Sequence, residues 1–102
     1  MRVILKSRNG SYEANGEYNE KTGEITVLKG SKISSHRDVS EKFHGGSKTQ
    51  RYRISYVDDE GILVENIRFK SPSTAANFVT GNSTNGMIAW KDENKTKLKD
   101  LI

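Results

Sequence analysis

Apolar residues occur along this chain in short bursts, each closed by turn-forming residues. Residues 2–7 mix apolar and basic side chains and predict a first strand, with Asn9-Gly10 as a hairpin-type turn after it. Residues 12–18 have aromatic ends and a central Asn15-Gly16, which predicts a second strand with a bulge or bend. Lys21-Thr22-Gly23 turns the chain again, and Glu24-Ile25-Thr26-Val27-Leu28 alternates with β-branched residues, the clearest strand in the sequence. As far as Lys32 the pattern is that of an antiparallel hairpin or meander.

Residues 32–48 are polar and aperiodic, with Gly45-Gly46 near the end, and predict a flexible connection. Residues 51–57 fit two periods. Tyr52, Ile54 and Tyr56 alternate as in a strand, while Tyr52/Tyr56 and Arg53/Val57 are spaced as neighbours on a helix. Asp58-Asp59-Glu60-Gly61 stops that element, and residues 62–69 then read as a strand with one slip of phase. Ser71-Pro72 is the clearest helix start. The hydroxyl can cap the first amides, and proline fits the first position, where no N–H is required. Ala75, Ala76 and Val79 lie on one stripe, Gly81 ends the helix, and residues 82–86 turn. Residues 87–90 bring bulk back to the core, and Thr96 is placed to cap a last short helix burying Leu98, Leu101 and Ile102. The expected fold is α+β: a small antiparallel sheet with two to three short helices packed on one side.

The chain has 102 residues, 32% of them hydrophobic, which predicts one domain over residues 1–102 with a modest core. With no cysteine there is no disulfide, thiolate metal site or thiol nucleophile. The apolar start at residues 1–6 is too short for an export signal, and no run approaches the ~18 residues of a membrane span, so a cytoplasmic location is expected.

The formal net charge is +4, and its distribution matters more. Residues 1–53 hold 11 basic against 6 acidic residues, and residues 54–102 hold 6 against 7. The surplus centres on Lys32, Arg37, Lys42, Lys48, Arg51 and Arg53, a balance suited to a polyanion.

Catalytic motifs fail. Gly46-Ser47-Lys48-Thr49 resembles the end of a phosphate-binding loop, but Ser47 intervenes before the lysine and no strand feeds it. His36 and His44 lack the further ligands a metal needs, and no serine sits in a nucleophile-elbow context. No enzyme activity, cofactor or metal is expected.

The stretch from Lys70 to Trp90 concentrates the chain's only proline, only tryptophan and many hydroxyls. Capping and close packing are one reading of it. The other is an anion site, since a helix N-terminus offers bare N–H groups and partial positive charge. The series Phe69-Lys70-Ser71-Pro72-Ser73-Thr74-Ala75-Ala76, Val79-Thr80-Gly81, Asn85-Gly86, Trp90-Lys91 and Leu98 resembles an uncharacterised domain family. That family is often fused to the C-terminal side of GIY-YIG endonucleases and found with type I restriction-modification methylases. It is similar to the RAMA (restriction enzyme adenine methylase associated) domain. Ala14, Gly16, Tyr18 and the run Ile25-Thr26-Val27-Leu28-Lys29-Gly30-Ser31 resemble the same family's first hairpin. The resemblance spans roughly residue 12 to the end. It implies DNA binding with sensing of modified bases, and a helix at residues 51–59. No nuclease or methylase is attached here, so catalysis is expected only from a separately encoded partner.

The expected function is therefore a non-enzymatic nucleic-acid-binding accessory module, for DNA in particular. Lys32, Arg37, Lys48, Arg51 and Arg53 are expected on phosphates. Lys70, Ser71, Ser73, Thr74 and Asn85 are expected around the helix start, and Tyr52 or Tyr56 against a base. The alternative is a protein-interaction domain or accessory subunit, presenting Met87, Ile88 and Phe78 as an apolar patch.

Overall fold

The computed structural model describes residues 1–34, 52, 53 and 55–102. Four strands, β1 (Arg2–Lys6), β2 (Glu13–Tyr18), β3 (Ile25–Val27) and β4 (Ile67–Phe69), form one antiparallel sheet in the order β1-β2-β3-β4. Three helices follow: α1 (Pro72–Thr80), α2 (Gly86–Ala89) and α3 (Leu98–Leu101). The architecture is α+β, as expected.

Asparagine side chains shape both early turns. Asn9 Oδ1 accepts from Ser11 N at 3.1 Å, and Asn19 Oδ1 accepts from Lys21 N at 2.9 Å. Each mimics a backbone turn and so sets where the next strand begins. The register of β1 on β2 runs unbroken from Arg2↔Glu17 to Lys6↔Glu13, so the bulge expected near Asn15-Gly16 is absent. Gly16 serves packing instead. A Cβ there would lie 3.3 Å from both the Trp90 ring and Ile25 Cδ1, so a bare backbone lets both side chains pack close to the strand.

Alternation along the strands sends Val3, Leu5, Ala14, Tyr18, Ile25 and Val27 to one face, where all are buried. Helix α1 covers that face, packing on β2, β3 and β4. Ala75 and Ala76 are fully buried, and their small side chains allow the close approach. Phe69 and Phe78 meet at 5.2 Å between ring centroids, and Tyr52 adds an edge contact to Phe69 at 5.8 Å.

Tyr52, Arg53, Ser55 and Tyr56 are helical, which decides the ambiguous period in favour of the helix. The strand expected over residues 62–69 is shorter than its pattern. Only Ile67–Phe69 joins the sheet, while Ile62 bridges Lys32 and Leu63 bridges Val57. The phase slip marks this change of partner, and it leaves Val64 41% exposed. Helix α2 lies where a return to the core was expected without an element of its own. Helix α3 is entered through Lys97 with no side-chain cap, not through Thr96, and it buries Leu98 while Ile102 stays 55% exposed.

Candidate functional site

The Pro72 turn was the first candidate for an anion site. Ser71 is the N-cap of α1, with extended backbone (φ −146°, ψ 154°). Its Oγ accepts from Thr74 N at 3.2 Å and is hydrogen-bonded to Thr74 Oγ1 at 3.0 Å, while its carbonyl accepts from Ala75 N at 3.2 Å. Proline has no N–H to offer. The remaining early amide, at Ser73, lies against Gly86: a Cβ on Gly86 would fall 2.4 Å from Ser73 N and 2.2 Å from the Pro72 carbonyl carbon. Ser73 Oγ accepts from Gly86 N at 3.0 Å, and the Pro72 carbonyl accepts from Trp90 Nε1 at 3.0 Å. Asn85 Oδ1 accepts from Met87 N at 3.1 Å and so caps α2. The hydroxyls of Ser71, Ser73 and Thr74 are thus hydrogen-bonded within the fold, and the Ser73 amide is packed against Gly86. The helix start is a seam between α1 and the 85–90 segment; of the residues expected around it, Lys70 and Asn85 are exposed, and Ser71, Ser73 and Thr74 are half-buried.

Arg53 corrects a second expectation. Its side chain is 3% exposed, and Nη1 donates to the Phe78 carbonyl at 2.7 Å. Nη2 donates to the Ser34 carbonyl and, at 3.1 Å, to Ser34 Oγ. Ser34 in turn donates from Oγ to the Thr80 carbonyl at 2.7 Å and from its amide to the Val79 carbonyl at 2.9 Å. The guanidinium and Ser34 therefore gather the carbonyls at the C-terminal end of α1, where positive charge is favoured. A cation so placed is internal and is not a surface phosphate contact. Arg37, Lys48 and Arg51 lie outside the described residues, as do His36 and His44. Phe78 is fully buried and belongs to the core, which removes it from the apolar patch. Tyr52 and Tyr56 pack edge-on to one another at 5.7 Å and are half-buried.

Positive charge collects elsewhere, on the face of the sheet opposite α1. Arg2 and Lys6 of β1 point there and pair with Glu17 and Glu13 of β2, at 2.9 Å and 3.6 Å. Arg68 pairs with Glu24 at 3.6 Å. The Arg2 hydrogen bond, aided by the chain's amino group, holds the Glu17 carboxyl below its usual range. Lys32 stands directly opposite Glu13 and donates from Nζ to the Gly10 carbonyl at 2.8 Å. Beyond β1, Lys91 bonds Ile4 in both directions, at 2.7 Å and 3.0 Å, and Lys97 lies directly opposite Lys91. Directly opposed residues share a face. Lys91 and Lys97 therefore join Ile4 on the side of the sheet opposite α1, and neither has a carboxylate partner among the described residues.

In the sequence Lys91 figures only beside Trp90 in the family pattern, and residues 54–102, with 6 basic against 7 acidic residues, show no surplus that would single out Lys97. A signal was present, since Asp92-Glu93-Asn94-Lys95 is a turn-forming run that sets Lys91 and Lys97 opposite one another. Among the described residues, no helix is long and apolar enough to cross a membrane.

No curated protein and no solved structure matches the chain. A family model described as "Domain of unknown function (DUF4357)" matches residues 4–102, and the chain belongs to that family.

Proposed function

We propose that the chain is a non-enzymatic nucleic-acid-binding module, DNA being the favoured ligand, that meets the phosphate backbone with the face of its sheet opposite α1. The observation that carries this reading is the charge of that face. Six cations, Arg2, Lys6, Lys32, Arg68, Lys91 and Lys97, stand against the three carboxylates of Glu13, Glu17 and Glu24. The paired residues fix the side chains flanking the surface, and the surplus gives it its sign. Such a surface supplies position and affinity rather than base reading. Resemblance to domains accompanying restriction and modification enzymes supports a role beside such an enzyme, with a separately encoded nuclease or methylase as partner.

The test is a titration of fluorescently labelled duplex and single strand at two salt concentrations. With three phosphates neutralised, a fourfold rise in salt weakens duplex binding roughly 40-fold, from a log–log slope of about 0.9 per contact. Equal affinity at both salts overturns the reading. So does capture of a protein partner that survives high salt while nucleic acid goes unbound.

A further inference from the structure

Residues 91–97 form a hairpin whose backbone is held firmly. Asp92 N donates to the Thr96 carbonyl at 3.0 Å, and Leu98 N donates to the Trp90 carbonyl at 2.9 Å. Lys91 and Lys97 lie between these two bonded pairs, which makes them the narrow kind of antiparallel pair, with Cα atoms about 4.5 Å apart. Like charges directly opposed at that spacing repel each other.

Asp92, next to Lys91 in the chain, forms no ion pair with either lysine. Asp92 Oδ1 accepts from Asn94 N and Thr96 N, both at 2.9 Å, so the carboxylate is committed to shaping the turn. Glu93 forms no ion pair with either lysine among the described residues. The tip carries a second anomaly. Lys95 has φ 65°, the left-handed region, and it is the one non-glycine residue with positive φ among those described. Glycine or asparagine would occupy that position with less strain, and strain of this kind gathers at functional sites. The sequence thus places a cation where the backbone disfavours it, beside two cations that form no ion pair among the described residues.

We infer that the 91–97 hairpin is a phosphate clamp, with Lys91 and Lys97 closing on one phosphodiester and Lys95 as a third cation at the tip. This rests on the nucleic-acid reading for the identity of the polyanion. The clamp itself needs only a tetrahedral oxyanion, whose charge converts the repulsion of the two ammonium groups into a shared attraction.

Three variants test it: the double variant K91Q/K97Q, K95G, and K21Q as a control in the turn between β2 and β3. The double variant is expected to lower the salt slope for duplex by about 0.9, the one phosphate that the two lysines share, and to melt no lower than wild type. K95G is expected to weaken binding while raising the melting temperature, a combination that a purely structural lysine does not produce. K21Q removes one charge and is expected to bind as wild type does. If wild type binds duplex and the double variant binds equally well with the same slope, the clamp is overturned and the nucleic-acid reading stands. If wild type ignores nucleic acid but inorganic phosphate shifts the Lys91 and Lys97 NMR resonances, the clamp stands and the polymer reading falls. Silence in both titrations overturns both.

Discussion

The indole N–H of Trp90 donates to the backbone carbonyl of Pro72 at 3.0 Å, joining the end of α2 to the first turn of α1. Trp90 is fully buried, so this bond is made away from water. Gly86 fits beneath it because it lacks a side chain. Proline, tryptophan and glycine are therefore parts of one joint. Gly86→Ala places a methyl carbon 2.2 Å from the Pro72 carbonyl carbon and forces backbone to move. The expected loss is at least ~3 kcal/mol of unfolding free energy, read by urea titration followed by circular dichroism. A cost below ~1 kcal/mol shows that the two backbones do not lie in contact.

Ser73→Ala tests whether the hydroxyls of this turn serve the fold or a ligand. Ser73 Oγ accepts from Gly86 N at 3.0 Å, and its loss strands an amide at a packed joint. The expected effect is about 1–2 kcal/mol of stability with no change in salt-dependent nucleic-acid affinity. Exposed Lys70→Ala is expected to stay within about 0.5 kcal/mol of wild type. Weakened binding by S73A with unchanged melting restores the turn as an anion site.

Arg53→Met removes a guanidinium that serves the Phe78 carbonyl and both oxygens of Ser34. Methionine fills much of the space but leaves those acceptors without that donor, at an expected cost on the order of 3 kcal/mol. Arg53→Lys keeps the charge and loses the fork, so it should fall between wild type and R53M. Equal stability of all three proteins, measured by thermal and urea unfolding, disposes of the internal role assigned to this residue.

Glu17 supplies a pH signature. Its carboxyl is held below its usual range in the folded protein, chiefly by the Arg2 hydrogen bond. The stabilisation is therefore complete above the unfolded-state carboxylate range, about pH 4–5, and is lost as pH falls through the lower folded value. Both side chains are substantially exposed, at 58% for Arg2 and 46% for Glu17, so screening keeps the contribution to a few tenths of a kcal/mol. E17Q should be slightly less stable than wild type at pH 7, with the gap closing on acidification. A gap that widens toward low pH contradicts the assignment.

Local pattern alone determined much of the architecture. Period-two alternation located β3, apolar runs closed by turn residues located β1 and β2, and Ser71-Pro72 with Gly81 marked both ends of α1, because strands, turns and helix caps depend on neighbours in sequence. The same local logic failed where partners are distant. Residues 51–57 matched two periods, and the helix there buries Arg53 against α1, a contact absent from the residues themselves. Arg53 among exposed cations looked like one more phosphate contact; tertiary structure gave it the carbonyls of residues 34 and 78 instead. The hydroxyls of the Pro72 turn looked available because Gly86 and Trp90 are 14 and 18 residues away from Pro72 in the chain and touch it only after folding. Lys91 and Lys97 lie in a half of the chain without surplus positive charge, and only pairing with Ile4 brought both to the sheet face opposite α1. A charge's chemical identity is written in the sequence, but whether it meets water, a carbonyl or another charge depends on contacts between distant residues, which only the folded chain makes.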